Sequence, residues 1–250
     1  MPASTFPAFV AGLLRVDAAR PLVTFYDDAT GERIELSVAT YSNWVNKTAG
    51  LAQDEFDLER GDLVLVDLPT HWLGAVWLGA AWTAGLCVTA DRSLAGEADL
   101  VVCGPDGVDV YADEVEAHPV VAISLRPLGA RFADPLPTGV TDYGAVVLAQ
   151  PDVFVPIDPP TADDLAWRQE ERSFTQRELL ETVHDSPVVD PRGRLLTDVN
   201  PCSEEGLGAL LSPLAQGGAT IWVAHPHDGS WEARFNEERA TAQLRVARPA

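Results

Sequence analysis

The chain has 250 residues, enough for one large domain or two small ones, and a net charge of −21 at neutral pH. A surface this acidic repels nucleic acid and anionic membranes, so neither is an expected partner. No apolar run reaches the ~18 residues of a membrane span. The start Met1-Pro2-Ala3-Ser4-Thr5 lacks the basic region and apolar core of a secretion signal.

The chain alternates apolar strand-like runs with amphipathic stretches, which predicts an α/β fold. Phe9, Val10, Leu13 and Leu14 form an apolar stripe on a first helix, capped near Ser4 or Thr5 with Pro7 in its first turn. Leu22–Tyr26 and Arg33–Leu36 read as strands joined by the turn Asp28-Ala29-Thr30-Gly31. Ser37 caps a helix carrying Tyr41, Trp44, Val45, Thr48 and Leu51 at helical spacing. Leu63–Val66 is a wholly apolar strand of the kind found in buried parallel sheets; with helix Trp72–Ala84 and strand Leu86–Ala90 it makes a β-α-β unit. Leu100–Cys103 and Val120–Ile123 continue the alternation.

Between Pro127 and Pro160 the chain is proline-rich and irregular. Residues 151–160 read as a linker between a first lobe, 1–150, and a smaller second lobe, 161–250. Each lobe is expected to hold a mainly parallel sheet flanked by helices. In the second lobe, Thr175-Gln176-Arg177-Glu178 has the form of a capping box opening a helix through Val183. Leu195–Thr197 is a strand. A helix from about Ser203 to Gln216 stops at Gly217-Gly218, strand Thr220–Val223 follows, and Trp231–Arg239 and Gln243–Val246 suggest a last helix and strand.

Several of these segments, in this order, resemble the adenylate-forming enzymes, the family of acyl-CoA synthetases and luciferases. They are Ile34–Tyr41 with Asn46–Leu51, Gly61–Pro69, Leu78–Gly85, Ser173–Leu180 and Leu210–Ile221. The resemblance covers about residues 20–224 and implies part of that family's N-terminal domain. It fails at one place. Where the family has a Gly/Ser/Thr-rich loop ending in Pro-Lys-Gly, this chain has Arg168-Gln169-Glu170-Glu171-Arg172. Glycines there let backbone N–H groups approach the phosphates of ATP, and the lysine neutralises charge; two glutamates repel a triphosphate. Lys47 is the single lysine of the chain. The family's adenine loop, ribose-binding acid and C-terminal lysine domain match no residue here. The resemblance therefore implies a truncated, non-adenylating relative, with no catalytic, metal or cofactor-binding residue to carry over and no cofactor.

Other constellations are weaker. Gly206-Leu207-Gly208 lacks the third glycine and the strand–turn–helix context of a dinucleotide fingerprint, so close helix packing is the expectation. His225-Pro226-His227-Asp228 follows a strand, where α/β sheets bind ligands, but no further ligand stands at a metal-site spacing, so a polar loop is expected. Asp67 and His71 suggest a base and its orienter without a nucleophile elbow; His71 is expected to start the helix at Trp72. Asp113, Glu114 and Glu116 read as a solvated face. Cys87, Cys103 and Cys202 read as small core residues in a reducing, cytoplasmic setting.

Trp72, Trp77 and Trp82 fall five apart and spiral around their helix. Some of the seven tryptophans are expected at an interface, with Trp77 and Trp167 as candidates. The expectation for function is a non-catalytic protein that binds a small ligand or a protein, working as a homo-oligomer, most simply a dimer, or with a protein partner. The alternatives are an enzyme of another type using the inter-lobe cleft with His225, His227 and Asp228, or one subunit of a split adenylate-forming ligase.

Overall fold

The computed structural model describes residues 3–169 and 172–246. In chain order the helices are α1 (Phe6–Asp17), α2 (Val38–Asp54), α3 (Trp72–Ala84), the short α4 (Val108–Tyr111) and α5 (Tyr143–Val146), α6 (Gln176–Asp185), α7 (Glu204–Ala215) and α8 (Asp228–Glu237). The strands are β1 (Pro21–Asp27), β2 (Glu32–Ser37), β3 (Leu63–Asp67), β4 (Cys87–Thr89), β5 (Leu100–Cys103), β6 (Val120–Ala122), β7 (Val140–Asp142), β8 (Leu165–Gln169), β9 (Arg172–Thr175), β10 (Arg194–Thr197), β11 (Ala219–Ala224) and β12 (Ala242–Leu244).

Local sequence explains most of these boundaries. The Ser37 hydroxyl accepts the N–H of Thr40 at the start of α2. Thr175 and Glu178 form the full capping box of α6: each side chain takes the other residue's backbone N–H. α3 ends at Gly85 and α7 is followed by Gly217, with φ of +81° and +72°, a conformation that glycine adopts without strain.

Two mainly parallel sheets result. One has the order β12-β10-β11-β1-β2, antiparallel only between β1 and β2; the other has the order β7-β6-β5-β3-β4-β8-β9, antiparallel only between β8 and β9. The strands are not sorted by chain half. β1 and β2 join β10 to β12, so the first sheet mixes residues before and after the 151–160 segment. The second does the same, because β8 pairs with β4 through Trp167 and Val88. That segment runs along α2: Asn46 Nδ2 donates to the Asp152 carbonyl at 2.8 Å, and Gln53 Oε1 accepts from Ile157 N at 2.9 Å.

One apolar core joins the sheets. Phe25 and Trp222 from the first meet Val64, Val66 and Val88 from the second, with α2, α3 and α7 contributing. Strand alternation sends Leu65, Val101 and Val120 to the opposite face of the second sheet, and Ile221 and Val223 to that of the first, under Trp231 of α8. All thirteen residues of α3 are buried. A helix apolar on every side belongs in a core, and α3 touches strands of both sheets.

This corrects the expectation for Trp77 and Trp167. They are 1% and 0% exposed, so neither faces a partner. Trp77 packs against Tyr143, and Trp72 against Trp44. Among the described residues, no helix is long and apolar enough to cross a membrane.

Candidate functional site

Parallel strands of α/β sheets present their C-terminal ends to ligands. Among the cavities at those ends, two differ most in character, and a third of about 330 Å³ past β3 and β5 adjoins both through Asp67, Leu68, Asn200, Pro69 and Leu125. The first, about 530 Å³, lies past β3 and β4, between the β8–β9 hairpin and the N-terminus of α7. Asp67, Gln169, Arg172, Asn200, Ser203, Glu204 and Glu205 make it polar. Asn200 bridges its floor, donating to the Leu68 carbonyl at 2.6 Å while its side-chain oxygen accepts from Cys202 N at 2.8 Å. Asp67 is held on one side by Arg92 at 2.9 Å and accepts the Tyr111 hydroxyl at 2.9 Å. Burial and the bond to Asp67 push the Tyr111 phenol up from its ordinary range. Tyr111, Arg92 and Asn200 carried no motif in the sequence; only the fold gathers them.

The electrostatics of this cleft decide what it accepts. A helix N-terminus attracts anions through its free N–H groups and dipole. α7 carries Glu204 and Glu205 in its own first turn, and its N-terminal Gly206 N–H is already taken by the Ser203 hydroxyl. Arg172 is paired with Glu204 at 2.5 Å, and Arg168 with Glu97 at 2.5 Å. Both arginines of the divergent loop are thus occupied by the protein's own carboxylates. The cleft lining holds three carboxylates against one guanidinium. Glu170 and Glu171, between those arginines, lie outside the described residues. Lys47 does not line this cleft; it is bonded to the Gln150 carbonyl and paired with Asp152 at 3.1 Å.

The second cavity, about 350 Å³, lies past β1, β10 and β11 at the start of α3. Phe25, Pro69, Leu125, Val223 and Pro226 give it apolar walls, and His71 stands at its base. His71 is the N-cap of α3: its Nδ1 accepts from Leu73 N at 3.2 Å. Burial lowers the imidazole pKa to about 3, with Asp27 opposing weakly, so the ring is neutral.

The chain is 34% identical over 249 residues to the "TIGR03089 family protein" of Mycobacterium tuberculosis, across 97% of this chain and 99% of that protein. The chain belongs to this family. No protein-family model matches it. Its fold is that of acyl-CoA synthetase N-terminal domains. A Brucella canis acyl-CoA synthetase superposes with a TM-score of 0.77 at 17% identity, over 95% of this chain and 47% of that one. The N-terminal domain of FACL13 from Mycobacterium tuberculosis gives 0.72 at 15% identity, over 96% and 62%. The chain thus spans about half the length of the solved synthetases it matches. The family resemblance read from segments 34–41, 46–51, 61–69, 78–85, 173–180 and 210–221 therefore holds for the fold.

The residues singled out in the sequence fall as follows in this TIGR03089 family member. His71 starts α3 as expected, and Asp67 does not face it; they line different cavities. His225 Nδ1 meets Asp27 Oδ1 at 2.8 Å, while the Asp28 carboxylate accepts His227 N at 2.9 Å. Asp228 pairs with Arg245 at 2.8 Å. Among the described residues, no group of three or more His, Cys, Asp or Glu side chains is placed to hold a metal. Gly206 is a close-packing position, because a Cβ there would sit 1.9 Å from the Asn200 carbonyl oxygen; Gly208 has open space. Glu114 lies 3.7 Å from His118, and Asp113 and Glu116 are exposed. The three cysteines are buried and unpaired, and burial raises the thiols of Cys87 and Cys103 to about 11 and about 12. They are core residues without nucleophilic character.

Proposed function

We propose that this family member keeps the synthetase-like fold but does not activate carboxylic acids with ATP, and acts in the cytoplasm by binding a small ligand or a protein. One observation carries this reading: the site of the phosphate loop is a β-hairpin whose two arginines are neutralised by Glu97 and Glu204. A transferring phosphoryl group would find no free cation and no glycine-rich run of N–H groups there. The test is pyrophosphate exchange with purified protein and panels of fatty, aryl and amino acids. Exchange at background is expected for every acid; a rate above background with any one of them overturns the reading.

A second proposal concerns association. Val153, Val155 and Ile157 are 74%, 74% and 84% exposed and alternate along one extended segment. Apolar rows of this kind mark interaction surfaces. Self-association into a dimer through this row covers them. Light scattering at micromolar concentration is expected to give twice the monomer mass, and Val155→Asp with Ile157→Asp to restore the monomer. A monomeric mass for the unaltered protein rejects the dimer.

A further inference from the structure

We infer that the dimer forms by antiparallel pairing of residues 152–158 with the same segment of a second copy, about a two-fold axis at Val155. The inference rests on the self-association reading above and gives that contact its geometry.

The segment is a strap that belongs to neither sheet. Side chains of its neighbours tie it down. Asn46 Nδ2 donates to the Asp152 carbonyl at 2.8 Å, Gln53 Oε1 accepts the Ile157 N–H at 2.9 Å, and Arg60 Nη1 donates to the Pro159 carbonyl at 3.2 Å. Phe154 packs against the main core, which turns the alternate positions outward. Val153, Val155 and Ile157 are therefore exposed together. Among the described residues, none bonds to the backbone N–H or C=O of Val153 or Val155. An extended chain with free backbone groups and an apolar face is a template for another chain.

The order of residues selects a second copy as that chain. Outward from Val155, Phe154 matches Pro156, Val153 matches Ile157, and Asp152 matches Asp158. A two-fold interface sets residue i against j and j against i. Antiparallel pairing about Val155 thus sets Val153 against the partner's Ile157 and Val155 against the partner's Val155, apolar against apolar on one face. A chain of net charge −21 repels its own copies, but the opposed aspartates each bring a cation. Lys47 lies 3.1 Å from Asp152, and Arg60 lies 3.2 Å from Asp158.

Backbone parity agrees. Successive residues of an extended chain send their N–H and C=O to opposite edges. The edge of Asp152, Phe154 and Pro156 is poorly equipped, because Asn46 occupies one carbonyl and proline has no donor. The other edge keeps both groups of Val153 and Val155 and the carbonyl of Ile157. Val155 exchanges both bonds with the partner's Val155, and Val153 N–H reaches the carbonyl of the partner's Ile157.

The test places single cysteines in the full chain under mild oxidation. Cys87, Cys103 and Cys202 are buried and stay silent. Antiparallel neighbours fall within the Cα separation that a disulfide spans, about 4.4–6.8 Å. Val155→Cys is expected to crosslink into a covalent dimer. Val153→Cys and Ile157→Cys are expected to crosslink when mixed, and neither alone. Val16→Cys, at an exposed position on α1, controls for chance encounters and should stay monomeric. Val155→Pro keeps an apolar side chain and an extended backbone but deletes the central N–H. It should raise the dimer Kd, read by light scattering over a concentration series, by about tenfold or more. Three results overturn the inference: Val155→Cys crosslinks no faster than Val16→Cys, Val153→Cys crosslinks as readily alone as when mixed with Ile157→Cys, or Val155→Pro dimerises unchanged. With a dimeric mass for the unaltered chain, any of these removes the pairing and leaves self-association standing. A monomeric mass for the unaltered chain ends both.

Discussion

Replacing Glu238 by alanine is expected to lower the unfolding free energy by about 2–3 kcal/mol, less than stranding a fully buried charge because its arginine partners are partly exposed. The Glu238 carboxylate follows α8 and is 9% exposed. It accepts from the Tyr26 hydroxyl at 2.5 Å, from Arg33 Nη2 at 2.9 Å and from Arg194 Nη2 at 2.6 Å. One side chain thus ties α8 to β1, β2 and β10. Arg33 is 45% exposed and can rehydrate, so its share is small. Arg194 is 26% exposed and its Nε already lacks a partner, so the loss concentrates there.

The same group sets a pH dependence. Burial alone would raise the Glu238 pKa, but bonds from Tyr26 and Arg33 outweigh it and hold the carboxyl below its ordinary 4.5. Asp28 behaves alike: burial opposes, while Arg234, the His227 N–H and Ser230 lower it. A carboxyl depressed in the folded state stabilises fully above its unfolded pKa, and that stability is lost as pH falls through the folded value. Urea unfolding should therefore show constant stability down to about pH 5 and a decline below about pH 4. Glu238→Ala should flatten that decline. A loss at pH 7 smaller than about 1 kcal/mol would mean the cluster is no stronger than an exposed ion pair.

Glu238 also shows where reading a sequence stops. The β-α-β unit at Leu63–Thr89 was legible because four consecutive apolar residues, an apolar helix and a glycine stop all act locally. So were the Thr175–Glu178 capping box and the turn at Gly217. Pairings such as Val23 with Thr220, or the convergence of Tyr26, Arg33, Arg194 and Glu238, depend on which strands become neighbours across some two hundred residues. Nothing in a local window encodes that. The Trp72–Trp77–Trp82 spiral did carry its answer. Side chains apolar on every face of one helix signal enclosure, and α3 is enclosed. The pairing of β8 with β9 is not legible locally because the charged run Arg168–Arg172 breaks the apolar alternation of a strand. For His71, sequence gave the cap and could not give the other nitrogen's surroundings, which packing alone sets.

The second large effect is expected from Gln176→Leu, a loss of roughly 2–4 kcal/mol from a buried N–H left unpaired and a carbonyl left with one long bond, at about 1–3 kcal/mol for an unsatisfied buried group. Gln176 is 2% exposed at the start of α6. Its Oε1 accepts the Phe6 N–H at 2.8 Å, and its Nε2 donates to the Trp82 carbonyl at 2.8 Å. The first bond replaces the missing side-chain cap of α1, since Thr5 makes none. The second satisfies a carbonyl in the last turn of α3 whose other bond is a long one from Gly85 N at 3.4 Å. Leucine has nearly the same volume, so the change deletes the bonds without opening a large cavity. The adjoining void is walled by Phe6, Trp82, Leu179 and Leu211, so a water entering it would find few partners with which to repair them. α1 should come loose first, because Gln176 is its polar tie to the rest of the fold. Hydrogen exchange in Gln176→Leu is expected to show α1 amides losing protection ahead of α2 and α3. If the variant unfolds at the unaltered midpoint with α1 still protected, the edge-on packing of Phe6 against Trp82, at 5.2 Å, holds the helix by itself.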